Sequence, residues 1–479
     1  MITGLGQLLQ RITQRVNINL REQRYDVTPF VEKLIPVEQM VNFHGFYGIT
    51  PHYGFDYEFR HSSLAGSYFL GKCIVINSIL YKSDIRGDEL KKKGDMFWFK
   101  GIEIPISKDE SIVIENSFLI KTLVHSHSRD PLALEKFSIT NTVSSHYANI
   151  HGAPIDGSFL GPFATVDRTT MNDCVVGAFS YIQTGEIRHF NIAPGTIWIR
   201  DPGKFNFIYR YPQEKLRDYI QFDPGNRPLG IFINFIEDRK EAFQNLFNRV
   251  EVVPSVPIPD TASLDRFAVI KPKTYIGENV LVAQRAFLQN SWLGEGTNVQ
   301  ENCYVINSHL EGYNVAAHGA KIIEVQLGSN SYVGYNSFLQ GRPGSPLTIS
   351  SENIILPHTI IDIDTAMTIP PGHLVWGLIT HPDELETHSM PLDELSKIEG
   401  GVSRGRMSFE GKGNVFVGEL RNRILHTLAA NGAFYNGSNE KGHAQNNQNI
   451  SFNTIQPYPE GHSAGIYPTI IIRQAQVRP

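Results

Sequence analysis

The sequence predicts a mainly β chain organised as two parallel β-helices in tandem, and three observations carry that prediction. The first is a period near six. Aliphatic residues fall at Ile276, Val282, Leu288, Leu293, Val299 and Val305, and the rhythm resumes at Leu327, Val333 and Leu339. No α-helix has that period, and a hairpin strand would alternate every two residues. The second is glycine, 41 residues, which often follows the aliphatic directly, as in Ile276-Gly277, Leu293-Gly294, Leu327-Gly328 and Val333-Gly334. The third is duplication. Ile150, Ile155, Leu160, Val166, Val176 and Ile182 recur in the same way, with Gly161 and Gly177 beside them, and the pattern reaches back through GSYFLGKCIVINSILYKSDIRGD. Short strands stacked coil on coil, about 4.8 Å apart, bury each aliphatic against the coils above and below. A glycine near each corner is expected to accept backbone angles that a β-carbon opposes.

The elements follow in order. Residues 1–59 form an N-terminal helical and extended segment, with helical spacing in LGQLLQRI and a second helix in VTPFVEKLIPVEQM. Residues 60–195 are the first β-helix. Residues 196–263 read as a helical insertion, PQEKLRDYI through EDRKEAFQNLFNRV, followed by the proline-rich connector VVPSVPIPDT. Residues 264–380 are the second, degenerate β-helix. Residues 381–479 hold helices in PDELETH, PLDELSKIEG and ELRNRILHTLAANG, a polar loop, and a final strand at Tyr467–Arg473. Helices at both ends are expected to cap the β-helix termini, whose backbone groups are otherwise unpaired.

Composition narrows the function classes. A chain of 479 residues exceeds one compact core, and 41% hydrophobic content, 19% charged content and a net charge of −5 describe a soluble globular protein. Nothing is basic enough for a nucleic-acid surface, and no run of about 18 apolar residues suggests a membrane span. The N-terminus lacks the pattern of a signal peptide. Cys73, Cys174 and Cys303 are isolated from one another. That argues against a disulfide framework or thiolate zinc site and fits a cytoplasmic location.

Chemistry concentrates in the first β-helix. SSHYANIHGAPI brings His146 and His151 close in sequence, in a His-x4-His pattern with Gly152 after the second. Upstream, LVHSH puts His125 and His127 on one strand face at spacing two, and Arg86-Gly87-Asp88-Glu89 forms a charged turn. The plainer reading of each is a polar side chain in a stacked turn. Together, over roughly residues 60–190, these stretches resemble the γ-class carbonic anhydrases, where His-x4-His-Gly is followed by further hexapeptide turns.

That resemblance implies a left-handed β-helix and a homotrimer with a metal site between subunits. It assigns His146, His151 and either His125 or His127 as ligands of zinc, with iron or cobalt as the other candidates. Glu89 becomes the proton shuttle, and Arg86 with Asp88 an inter-subunit ion pair. Three neutral imidazoles leave a fourth position for water, and the bound hydroxide attacks CO2 or a related small electrophile.

The sequence also departs from the family. The separation of Arg86 and His125 exceeds the family pattern by about one coil. A whole extra coil would displace Glu89 by about 4.8 Å; a protruding hairpin, which KKKGDMFWFKGIEI resembles, keeps register and is the expected solution. In the second half, TNVQEN and HGAKI resemble the same turns, yet Asn307 and Tyr313 stand where two histidines would be. That half reads as a metal-free duplicate and His318 as a scaffold residue. Two other functions suit the fold: a hexapeptide-repeat acyltransferase using acyl-CoA with a histidine base, and a non-enzymatic trimeric scaffold.

Overall fold

The computed structural model describes residues 4–31, 34–41, 44–50, 54–87, 90–99, 102–125, 137–152, 154–247, 254–438, 440–455 and 465–474. The chain forms two compact units. Unit 1 is Met1–Pro194 with Ile220–Leu229 and Ile450–Pro479, and unit 2 is Gly195–Tyr219 with Gly230–Asn449. Each contains a parallel β-helix with three strand faces.

In unit 1 one face runs in parallel through Tyr68–Leu70, Asp84–Arg86, Leu123–His125, Asn149–His151, Thr165–Asp167 and Tyr181–Gln183. The regular coil runs from Ile150 to its partner Val166, and again from Val166 to Ile182. Three short strands share each such coil, and this accounts for the apolar step of five to six. Two coils are longer, the one from His125 to His151 and the one from Arg86 to His125. Across the latter, His125 pairs with Arg86, Phe118 with Ile79 and Ile112 with Cys73, so these are neighbouring coils despite the longer stretch of chain between them. The surplus is an antiparallel hairpin of Met96–Phe99 and Ile102–Pro105, and register is kept.

The corners differ from expectation. Left-handed backbone is supplied largely by residues other than glycine, among them Asn77, Asn116, Asn141, Lys121, Tyr147 and Phe163. Asparagine tolerates this region better than most side chains. The glycines that follow aliphatic residues have a different reason. A β-carbon on Gly294 would strike the carbonyl of Glu311, and one on Gly334 the nitrogen of Pro357, each on the next coil. They permit close stacking.

The ends of unit 1 also differ. The helix Gly4–Asn19 buries Leu5, Leu8, Ile12 and Val16 on one stripe. That stripe packs with Ile79, Phe118, Val143, Phe159 and Val175, one from each of five coils, so the helix lies along a face and does not cap it. The second expected helix is two short ones, Thr28–Val31 and Val37–Val41, because Pro36 cannot donate within a continuous helix. Strands, not helices, close the first coil. Ser451–Ile455 pairs antiparallel with Gly45–Ile49, and Ile470–Arg473 with Asp56–Arg60.

Unit 2 has slightly longer coils, which align Leu288, Val305, Ile322 and Leu339. These residues join Ile276, Val282, Leu293 and Val299 in its core. Over the outer column Phe287, Tyr304, Lys321 and Phe338 lie the helices Ile231–Glu237 and Lys240–Phe247, through Phe232, Phe235 and Phe243. Unit 2 also holds an antiparallel sheet that the sequence reading placed in helical territory. Thr196–Asp201 pairs with Phe205–Arg210, which pairs with Met407–Lys412 and that in turn with Glu399–Arg404. Among the described residues, no helix is long and apolar enough to cross a membrane.

Candidate functional site

The most concentrated chemistry in unit 1 sits where strands of the first face end. Leu70, Arg86, His125, His151 and Asp167 occupy the same register position on successive coils. The preceding residues, Phe69, Ile85, Val124, Ile150 and Val166, point into the core and are buried. By strand alternation the ladder residues project outward. Even so, Arg86, His125 and His151 are 7–8% exposed and Asp167 is fully buried.

Stacking coils at this pitch brings two imidazoles together. The rings of His125 and His151 have centroids 5.2 Å apart and cross at 78°. His151 Nδ1 lies 2.9 Å from Asp167 Oδ1 on the following coil. Tyr181 donates its hydroxyl to the other oxygen, Oδ2, at 2.5 Å, and lies 2.9 Å from Gln183 Oε1. An Nδ1–H held by a buried carboxylate fixes the tautomer and directs basicity to Nε2. The arrangement suits a general base or a metal-binding imidazole.

Other residues singled out from sequence fall in different places. His146 lies in the corner between Val143–Ser144 and Asn149–His151, off the ladder. Its Nδ1 is 3.4 Å from Ser145 Oγ. Burial, with repulsion from Lys121, pushes its pKa down to about 3, so it stays neutral. Arg86 stands on the ladder one coil from His125. Asp88, Glu89 and His127 lie outside the described residues. In unit 2, His318 Nδ1 lies 2.7 Å from Glu301 Oε2, and both side chains are buried.

Asp167 and Tyr181 escaped the sequence reading. Their signal was the coil length: Ile150, Val166 and Ile182 are evenly spaced, so the residue one such step after His151 had to lie beside it.

The class of protein is thus a coiled β scaffold that carries a carboxylate-aligned imidazole at the end of a strand. Residues 102–224 match the family described as hexapeptide repeat including loop. The chain is also similar to a crystal structure provisionally described as an acetyltransferase from Desulfovibrio desulfuricans G20. The two are 48% identical with a TM-score of 0.92, over 99% of this chain and 100% of that one. Comparison with curated proteins returns no match. The chain belongs to the hexapeptide-repeat family of left-handed β-helix proteins.

Proposed function

We propose that the chain is an acyltransferase that moves an acyl group from acyl-CoA to a hydroxyl or amine of a small acceptor, with His151 as general base. The observation that carries this reading is the His151–Asp167 contact, found in a chain 48% identical to a protein provisionally described as an acetyltransferase. Kinship with that protein favours acyl transfer over the hydratase chemistry that the histidine spacing suggests.

The step follows from the tautomer. As the acceptor attacks the thioester carbonyl, His151 Nε2 takes its O–H or N–H proton, and Asp167 stabilises the resulting imidazolium. A C–O or C–N bond forms, the C–S bond breaks, and the CoA thiolate recovers the proton. Arg86, on the same ladder, would supply positive charge for a phosphate of the donor. Release of CoA thiol from acetyl-CoA, measured across amine and hydroxyl acceptors, tests the proposal. His151→Ala is expected to lower turnover about 10²–10⁴-fold while circular dichroism is unchanged. Undiminished release from that variant, or none from the wild type, would overturn it.

One observation favours a second reading, a metal-dependent lyase like the γ-class enzymes. The paired rings of His125 and His151, one backed by a carboxylate, form a donor set that suits zinc, iron or cobalt. These two residues would hold the ion, which when bound supplies a Lewis acid and a water of lowered pKa. Metal analysis of protein purified without chelators separates the readings, since only this one expects an equivalent of metal that His151→Ala loses. A homotrimer, common among hexapeptide-repeat β-helices, suits both and is checked by sedimentation.

A further inference from the structure

Unit 2 carries an open groove of about 690 Å³ on one strand face. Two outward columns line it. One is Tyr275, Trp292, His309 and Gln326, paired rung by rung through parallel strands. The other consists of corner residues Lys273, Asn290, Asn307 and Glu324, all in left-handed backbone. Between the columns the residues Thr274, Ser291 and Val325 are buried, so the chain itself forms the floor.

Both columns are ordered before any ligand arrives. Tyr275 stacks on Trp292 with centroids 3.8 Å apart, and Trp292 on His309 at 5.7 Å. Tyr275 and Trp292 nevertheless remain 47% and 44% exposed. Because the stacking runs along the column, the rings present their edges sideways. Asn290 Nδ2 donates to Asn307 Oδ1 at 3.1 Å, and Asn307 Nδ2 to Glu324 Oε1 at 2.6 Å. Each amide of this ladder keeps hydrogen-bonding capacity beyond those contacts. One end of the groove has a wall. Trp292 meets His309 across a regular coil, whereas Gln326 meets Thr348 across a longer one. The surplus falls in the loop that brings Pro343 and Pro346 to the groove.

We propose that this groove binds a neutral polyhydroxylated chain, an oligosaccharide laid along the coils with one ring-sized unit per coil. Lys273 and Glu324 give one charge of each sign, at opposite ends of their column, which suits a ligand without net charge. Planar amides and aromatic edges bearing O–H and N–H groups suit hydroxyls. The groove repeats about every 4.8 Å, whereas an extended peptide repeats every two residues, about 6.7 Å, and falls out of step.

Calorimetry and tryptophan fluorescence of the full chain with cellohexaose and maltohexaose as probes test the assignment. One hexasaccharide is expected to bind more tightly than its disaccharide, with at least a tenfold loss in Trp292→Ala and in Asn307→Ala and none in Trp198→Ala. Unchanged melting curves would show that the variants fold. The assignment is overturned if neither probe binds at about 1 mM, if Trp292→Ala binds as well as wild type, or if only neutral peptides bind. The columns would then be stabilising stacks alone.

Discussion

Tyr181 and His151 grip opposite oxygens of one buried carboxylate: the phenol holds Asp167 Oδ2 at 2.5 Å and the imidazole holds Oδ1 at 2.9 Å. Three coils are thereby tied through a single side chain. The phenol competes for the charge that Asp167 offers the ring.

Removing the phenol hydroxyl therefore strengthens the carboxylate as an acceptor. In Tyr181→Phe the His151 imidazolium is better stabilised and its pKa rises. The acid limb of the pH–rate profile for acetyl-CoA turnover is expected to move to higher pH. Histidine-selective NMR titration gives the same answer without relying on activity. An unmoved titration would show that Tyr181 does not tune the ring.

Lys321 makes the stability of the fold depend on pH. Its side chain is 2% exposed, donates to the Gly319 carbonyl at 2.6 Å and lies 6.0 Å from the Phe232 ring. Burial brings its pKa down to about 7, whereas the unfolded chain holds that proton to about 10.4. Between these values the unfolded state binds more protons, so stability rises with pH, by up to about 1.4 kcal/mol per pH unit. Urea midpoints measured from pH 7 to 9.5 should climb in wild type and flatten in Lys321→Met. A lysine contributing nothing would leave the two slopes equal.

Leu310 is fully buried in the aliphatic column of unit 2. Leu310→Ala is expected to cost about 2–5 kcal/mol, since rigid neighbouring coils cannot collapse into the space. Equilibrium denaturation measures this, and a loss below about 1 kcal/mol would mean that the coils shift to fill it.

The hairpin of the long coil is separable from register. Gly94 and Asp95 already exchange backbone hydrogen bonds with Ile106. Replacing residues 96–105 by Asn-Gly, a favoured two-residue hairpin turn, should leave the pairing of Arg86 with His125 intact. Calorimetry is expected to show one transition shifted by only a few degrees. Loss of cooperative unfolding would show that the hairpin holds the coil.

The coiled cores were legible because a buried aliphatic must recur once per face, and Ile150, Val166 and Ile182 record the coil length directly. His125 and His151 were legible as neighbours only through the family resemblance, since a whole coil of chain separates them and no local spacing brings them together. Asp167 belongs to no local motif, and only coil arithmetic places it. The antiparallel pair at 196–210 did carry a signal: Ile197, Ile199, Phe207 and Tyr209 alternate with more exposed residues around the turn Asp201-Pro202-Gly203-Lys204. The helical spacing of the segments that follow, Gln213–Tyr219, Ile231–Glu237 and Lys240–Phe247, is the stronger pattern and masks it. The strand Ser451–Ile455 could not be read as a lid for Gly45–Ile49, because strand pairing between opposite ends of a chain leaves no local trace in sequence.

Those closing strands impose an order on biosynthesis. The coils of unit 1 precede unit 2 in the chain, but two of the unit's strands are synthesised after all of unit 2. Domains usually mature from the N-terminal side as they emerge. Here the earliest coils wait with an open edge until those two strands leave the ribosome. Premature termination anywhere in unit 2 would release a product whose first coil is an unprotected template for aggregation.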